Sequence, residues 1–150
     1  MRRSQRKGFL ERLLSAVYVY PFRCQICAHR FKALQWGMRY VRVDRREFTR
    51  IPARLPSTFV EGQTRHDGVV TDLSIAGARL YTGARIAEGE LFQLTMQIQG
   101  KDAPVAVDAV VVRSANPMRL GLSFVQIKDE DKKRLGQLVQ ELLSANLDQP

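Results

Sequence analysis

Apolar and polar residues alternate most clearly in the middle of the chain, from Leu91 to Gln99. In that segment the apolar positions are Phe92, Leu94, Met96 and Ile98, and a polar residue follows each of them. A period of two predicts a β-strand with one buried face and one face in water.

Five other segments are short, rich in β-branched or apolar residues, and bounded by turn-forming residues. They are Thr58–Val60, Val69–Leu73, Ala78–Tyr81, Val105–Arg113 and Leu120–Val125. Gly100–Pro104 and Asn116-Pro117 are typical turn sequences. Several short strands at close spacing predict an antiparallel barrel or sandwich.

The period changes from two to that of a helix near the C-terminus, over Lys128–Leu147. Leu135, Leu138, Val139, Leu142 and Leu143 fall on one face of such a helix. The acidic residues at 129–131 suit the first turn, because they face the positive end of the helix dipole. We expect this helix to cover the open end of a small barrel.

Residues 1–20 have apolar positions at three- and four-residue spacing after a basic start, which predicts a short amphipathic helix. Glu11 and Arg12 interrupt the apolar stretch and Pro21 ends it, so it is a poor match to a secretory signal. The pattern favours a helix that packs on the body of the protein or makes a peripheral contact with a membrane surface.

Charge is distributed unevenly along the chain, whose net charge is +9. Residues 1–54 hold 14 basic and 3 acidic residues, a net of +11, and residues 55–150 hold 10 and 12, a net of −2. The first third therefore favours an anionic partner such as a phosphate ligand, nucleic acid or acidic lipid. Two cysteines exclude a disulfide-dense scaffold, and no apolar run is long enough for a spanning helix.

Two short motifs carry the candidate chemistry. The first is Arg46-Glu47-Phe48-Thr49-Arg50, with Arg45 beside it, directly before the first strand. Arginine presents a planar fork of donors that fits phosphate oxygens and the O6/N7 edge of guanine. The second is Asp72-Leu73-Ser74-Ile75-Ala76-Gly77, followed by Ala78-Arg79, at a junction between two strands. Its carboxylate can accept from guanine N1 and N2, its serine can bind phosphate, and its glycine permits a positive φ and close approach of a ligand.

In that order and spacing, the two motifs resemble the PilZ domain, a bacterial receptor for cyclic di-GMP. The family pattern is an RxxxR loop before the first strand and a [D/N]xSxxG segment between the second and third strands. Both are matched in full, and the late Gly121-Leu122-Ser123-Phe124 is also similar to the family. The resemblance covers residues 40–143. It implies a mainly β protein, a six-stranded antiparallel barrel with a C-terminal helix.

The resemblance also implies a role for each motif residue. Arg46 and Arg50 are expected to grip the guanine and phosphates of cyclic di-GMP. Asp72 is expected to bind a guanine edge and Ser74 a phosphate or guanine edge, while Gly77 keeps the loop open.

Two arginines beside the motifs, Arg45 and Arg79, are second-rank candidates for ligand binding. No side chains are arranged for bond breaking, since neither histidine has a catalytic motif around it. We therefore expect a cytoplasmic, non-enzymatic receptor. Residues 1–20 are the candidate for a peripheral membrane contact. The domain is expected at 40–147, after a basic, partly helical extension at 1–39. Binding is expected to order the arginine loop and to change contacts with an unidentified downstream protein.

Cys24 and Cys27 form a CxxC pair within the extension. Cysteines at this spacing can hold one side of a zinc ion, but a structural site needs four ligands. Only His29 or His66 is available to add to them, so a zinc site would need to be shared across a dimer or to take a water as its fourth ligand. The sequence therefore favours two reduced cysteines over zinc. A redox pair is disfavoured because no thioredoxin-type βαβ pattern surrounds it.

Two alternative functions remain open at this point. One is a nucleic-acid-binding module that acts through the basic N-terminal third, with salt-dependent binding that does not need Asp72 or Ser74. The other is a PilZ-like interaction scaffold whose ligand site is silent.

Overall fold

The computed structural model describes residues 2–3, 9–36 and 48–147. The chain divides into two compact units, residues 1–49 and 50–150. We call them the N-terminal unit and the barrel unit.

The barrel unit contains six strands, which are β4 (Ile51–Glu61), β5 (Thr64–Ser74), β6 (Gly77–Tyr81), β7 (Leu91–Met96), β8 (Val105–Asn116) and β9 (Arg119–Gln126). They close into an antiparallel barrel in the order β4-β5-β6-β9-β8-β7. Closure gives every strand two hydrogen-bonded neighbours, so no edge of the sheet is left unpaired. The six-stranded barrel that the sequence predicts is confirmed.

Strand β7 shows how the sequence pattern becomes structure. Phe92, Leu94 and Met96 are buried in the core, whereas Leu91 and Gln93 on the opposite face are exposed. The strand ends at Met96, three residues earlier than the alternation predicts.

Helix α2 (Asp129–Leu147) packs against β8 and β4. Leu135, Leu138 and Val139 are buried and belong to the same hydrophobic core as the barrel interior. The Asp131 carboxylate accepts a hydrogen bond from the backbone N–H of Ala106 at 3.2 Å, which ties the first turn of α2 to β8. The predicted C-terminal helix is confirmed.

The N-terminal unit contains more strand than the sequence predicts. Helix α1 is limited to Phe9–Ala16, and β1 (Arg2–Arg3), β2 (Val19–Arg23) and β3 (Arg30–Leu34) form an antiparallel sheet in that order. None of the helices in the described ranges is long and apolar enough to cross a membrane.

Candidate functional site

Three adjacent strands bring the residues of the second motif together with Arg50. Asp72 pairs with Arg79 across β5 and β6, and Ser74 pairs with Gly77. Arg50 directly precedes Ile51, the first residue of β4, which pairs with β5 at the residue between Asp72 and Ser74. Arg50 of the first motif and the residues of the second motif are far apart in sequence, but they therefore meet at one end of the strands β4, β5 and β6.

Asp72 and Arg79 lie on the outer face of the barrel, because Leu73, Ala78 and Leu80 beside them point into the core. The Arg79 Nη1 and Asp72 Oδ2 atoms are 2.9 Å apart, an ion pair with side chains 38% and 22% exposed. The pair offers a carboxylate acceptor and a guanidinium donor side by side at the surface. Arg79, which the sequence places in the second rank, contacts a central motif residue directly.

Ser74 and Gly77 close the β5–β6 hairpin around the two-residue turn Ile75-Ala76. The Ser74 hydroxyl, which is buried, donates to the Gly77 carbonyl oxygen at 3.0 Å. The Ala76 carbonyl oxygen accepts from the backbone N–H of Phe124 on β9 at 2.9 Å, which holds the turn against the barrel. Ser74 therefore supports the turn, and its hydroxyl oxygen retains acceptor capacity.

Gly77 does not have a positive φ, one of the two reasons for which the sequence predicts a glycine in this motif. A Cβ atom at this position would collide with the carbonyl oxygen of Leu122 on β9. The requirement for glycine comes from this close approach of two backbones, and it does not depend on an open loop.

The first motif is only partly described. Arg45 and Arg46 lie outside the described residues, whereas Arg50 is described and exposed. The structure thus brings Arg50, Asp72, Ser74, Gly77 and Arg79 to one end of the strands β4, β5 and β6. Ser74 and Gly77 are buried there, whereas Arg50, Asp72 and Arg79 are accessible to solvent.

The cysteine pair lies in the other unit, at the turn between β2 and β3. Both cysteines are free thiols; Cys27 is exposed and Cys24 is half-buried. Hydrogen bonds from the backbone N–H groups of Cys27 and Ile26 lower the pKa of the Cys24 thiol below its ordinary value. In the described part of one chain, no three or more His, Cys, Asp or Glu side chains converge as metal ligands.

Comparison with known proteins identifies the class of this barrel. The family model of the PilZ domain matches residues 44–141. This chain therefore belongs to the PilZ domain family, as its motifs predict. By sequence, no curated protein matches it.

Several solved structures share the fold. The PilZ domain of CeSA from a cellulose-synthesizing bacterium is 20% identical, with a TM-score of 0.51 over 63% of this chain and 98% of that one. The PilZ domain of Escherichia coli YcgR, solved with c-di-GMP, is 16% identical, with a TM-score of 0.57 over 71% of this chain and 100% of that one. The Bacillus subtilis inhibitor of motility MotI/DgrA is 17% identical, with a TM-score of 0.59 over 88% of this chain and 66% of that one. At these identities the likeness shows the fold alone.

Proposed function

We propose that this protein is a receptor for cyclic di-GMP. The observation that carries the proposal is the Asp72–Arg79 ion pair on the outer face of the barrel, with Arg50 and the Ser74 hairpin beside it. Membership of the PilZ family and the presence of both motifs in full support it. The YcgR PilZ domain, which has the same fold, was solved with this nucleotide.

The chemistry of the surface fits the ligand. Cyclic di-GMP carries two phosphodiesters and two guanines, so it needs cations for the phosphates and acceptors for guanine N1 and N2. Arg50, together with Arg46, supplies guanidinium forks for phosphate oxygens or a guanine O6/N7 edge. Asp72 supplies the acceptor, and the donors of Arg79 hold its carboxylate in place. The protein senses the nucleotide and does not transform it.

Ligand binding then reorders the arginine loop that leads into β4 and changes the surface available to a downstream protein. The proposal follows from the position of the arginine motif at the boundary between the two units. Limited trypsin digestion tests it, since cyclic di-GMP is expected to slow cleavage at Arg45–Arg54. Equal cleavage with and without the nucleotide would contradict this step.

The protein acts in the cytoplasm and makes a peripheral contact with acidic lipid. The contact is supported by helix α1, on which Phe9, Leu10 and Leu13 are 79%, 72% and 60% exposed. Trp36 is also exposed and stacks on Tyr18 with 5.0 Å between ring centroids. Exposed apolar side chains in a strongly basic segment suit the interface of an anionic membrane.

Thermal unfolding tests the receptor proposal. A ligand present at about one hundred times its Kd stabilises the folded state by about 2.7 kcal/mol, which raises the Tm of a protein of this size by several degrees. We expect cyclic di-GMP to give such a rise and cyclic GMP, with one guanine and one phosphate, to give a much smaller one.

Two arginine variants make the test specific. Arg50→Ala is expected to abolish most of the rise, whereas Arg65→Ala should retain it, because Arg65 is an exposed arginine at the opposite end of β5. A rise of the same size with cyclic GMP, or in Arg50→Ala, would instead indicate general anion binding. No rise in the folded wild type would indicate a scaffold with a silent site.

A further inference from the structure

The tip of the β2–β3 hairpin brings its two cysteines together on a tight turn. The strands pair from Val19 with Leu34 to Arg23 with Arg30, and Cys24 to His29 close the turn. The Cys24 backbone N–H donates to the His29 carbonyl oxygen at 2.9 Å. The chain reverses just after the second cysteine, where Ala28 has a φ of 60°.

This turn is held in a defined conformation. The Gln25 side-chain oxygen accepts a hydrogen bond from the backbone N–H of Thr49 at 2.6 Å, and Gln25 is buried. A turn held in this way keeps both cysteines at the hairpin tip, at the C-x₂-C spacing of a metal-binding pair.

Among the described residues, one chain supplies only two of the four ligands that such a site needs. Structural zinc is held by four ligands in a tetrahedron, and C-x₂-C is a spacing that supplies two of them. The described residues of one chain bring no third His, Cys, Asp or Glu to the pair. Cys27 is exposed at the hairpin tip, so a second copy can approach it.

We propose that two copies of this chain share one Zn²⁺, which Cys24 and Cys27 of each copy coordinate. A twofold axis through the metal would make the contact self-complementary and closed, as in most protein dimers. Each thiol gives up its proton to solvent when the Zn–S bond forms, so no oxidant or reductant is required. The hairpin tip then serves as a zinc-dependent dimer contact of the N-terminal unit, independent of nucleotide binding.

The test measures metal content and mass on the full-length protein purified without chelator. We expect one zinc per two chains by elemental analysis, and a dimer by light scattering that a strong chelator converts to monomer. Added Zn²⁺ should restore the dimer. Substitution with Co²⁺ should give the absorption spectrum of a tetrahedral four-thiolate site.

Two variants complete the test. Cys24→Ser/Cys27→Ser should be monomeric and free of zinc, whereas His29→Ala should keep both zinc and dimer. The chelator and Co²⁺ measurements use the wild type, so they remain decisive if the double variant misfolds. The proposal would be overturned by a chain without zinc, by a monomer that holds zinc, or by a Cys24–Cys27 disulfide in reducing buffer. It would also be overturned by a dimer that persists after the chelator is added.

Discussion

At the scale of single residues, the Asp72–Arg79 ion pair contributes little to the stability of the fold. Because the two side chains are 22% and 38% exposed, solvent screens their attraction, and such pairs contribute less than about 1 kcal/mol to folding. Its role in the proposed function is to present a guanidinium donor and a carboxylate acceptor at the surface of the barrel.

The first prediction compares the effect of Asp72 on nucleotide affinity with its effect on the free energy of unfolding. Asp72→Asn should change the free energy of unfolding by less than about 1 kcal/mol, but should weaken cyclic di-GMP binding by about tenfold or more, since it removes a charged acceptor. Urea denaturation and titration calorimetry measure the two effects. A loss of affinity that is matched by a comparable loss of stability would mean that Asp72 acts by holding the fold.

The second prediction concerns Gly77, whose position is set by packing. Gly77→Ala places a methyl group against the Leu122 carbonyl oxygen, so it should destabilise the barrel by about 1–3 kcal/mol. Gly83→Ala is the matched control, because its Cβ would meet open space without a positive φ, and it should stay within about 0.5 kcal/mol of the wild type. Equal urea midpoints for the two variants would refute the packing explanation.

Residue types and spacing predicted that the second motif lies at the junction of two strands, but not which residue each of its members contacts. The alternation across Ala78, Arg79 and Leu80 places Arg79 on the outer face. Its partner, Asp72, depends on the register between β5 and β6, which the sequence does not specify. In the same way, the close approach of Gly77 to Leu122 depends on the pairing of β6 with β9.

At the scale of secondary-structure elements, prediction succeeded where the hydrophobic period was long and regular. Strand β7 and helix α2 show this, because their buried positions follow a period of two and of about 3.6. Strands β2 and β3 were missed. They are five residues each and mix Pro21, arginines and aromatics, so neither pattern stands out.

Helix α1 gives the third prediction, on membrane contact. The full chain should co-sediment with phosphatidylglycerol vesicles and much less with neutral phosphatidylcholine vesicles, and added salt should weaken the binding. Leu10→Glu/Leu13→Glu should reduce it strongly, because both side chains lie on the exposed apolar face. The matched control is Val125→Glu, which changes an equally exposed apolar side chain of the barrel. Unchanged sedimentation of the double variant would exclude α1 as the contact.

At the scale of the whole molecule, the charge asymmetry follows the division into two units. The excess of positive charge lies in residues 1–54, and the barrel unit begins at residue 50. Composition predicted a basic segment and an electrically ordinary body. Composition did not predict the sheet within the basic segment or the hydrogen bonds that shape its cysteine turn. Both depend on pairing between residues that are distant in sequence.

The central claim is that this barrel binds cyclic di-GMP through its two motifs. Isothermal titration of the nucleotide into the full chain tests it most directly, with Arg46→Ala/Arg50→Ala alongside and Arg65→Ala as the control. We predict binding with a Kd on the order of micromolar or tighter in the wild type and in Arg65→Ala, and none in the double variant. Absence of binding by the folded wild type, or equal binding by the double variant, would contradict the claim.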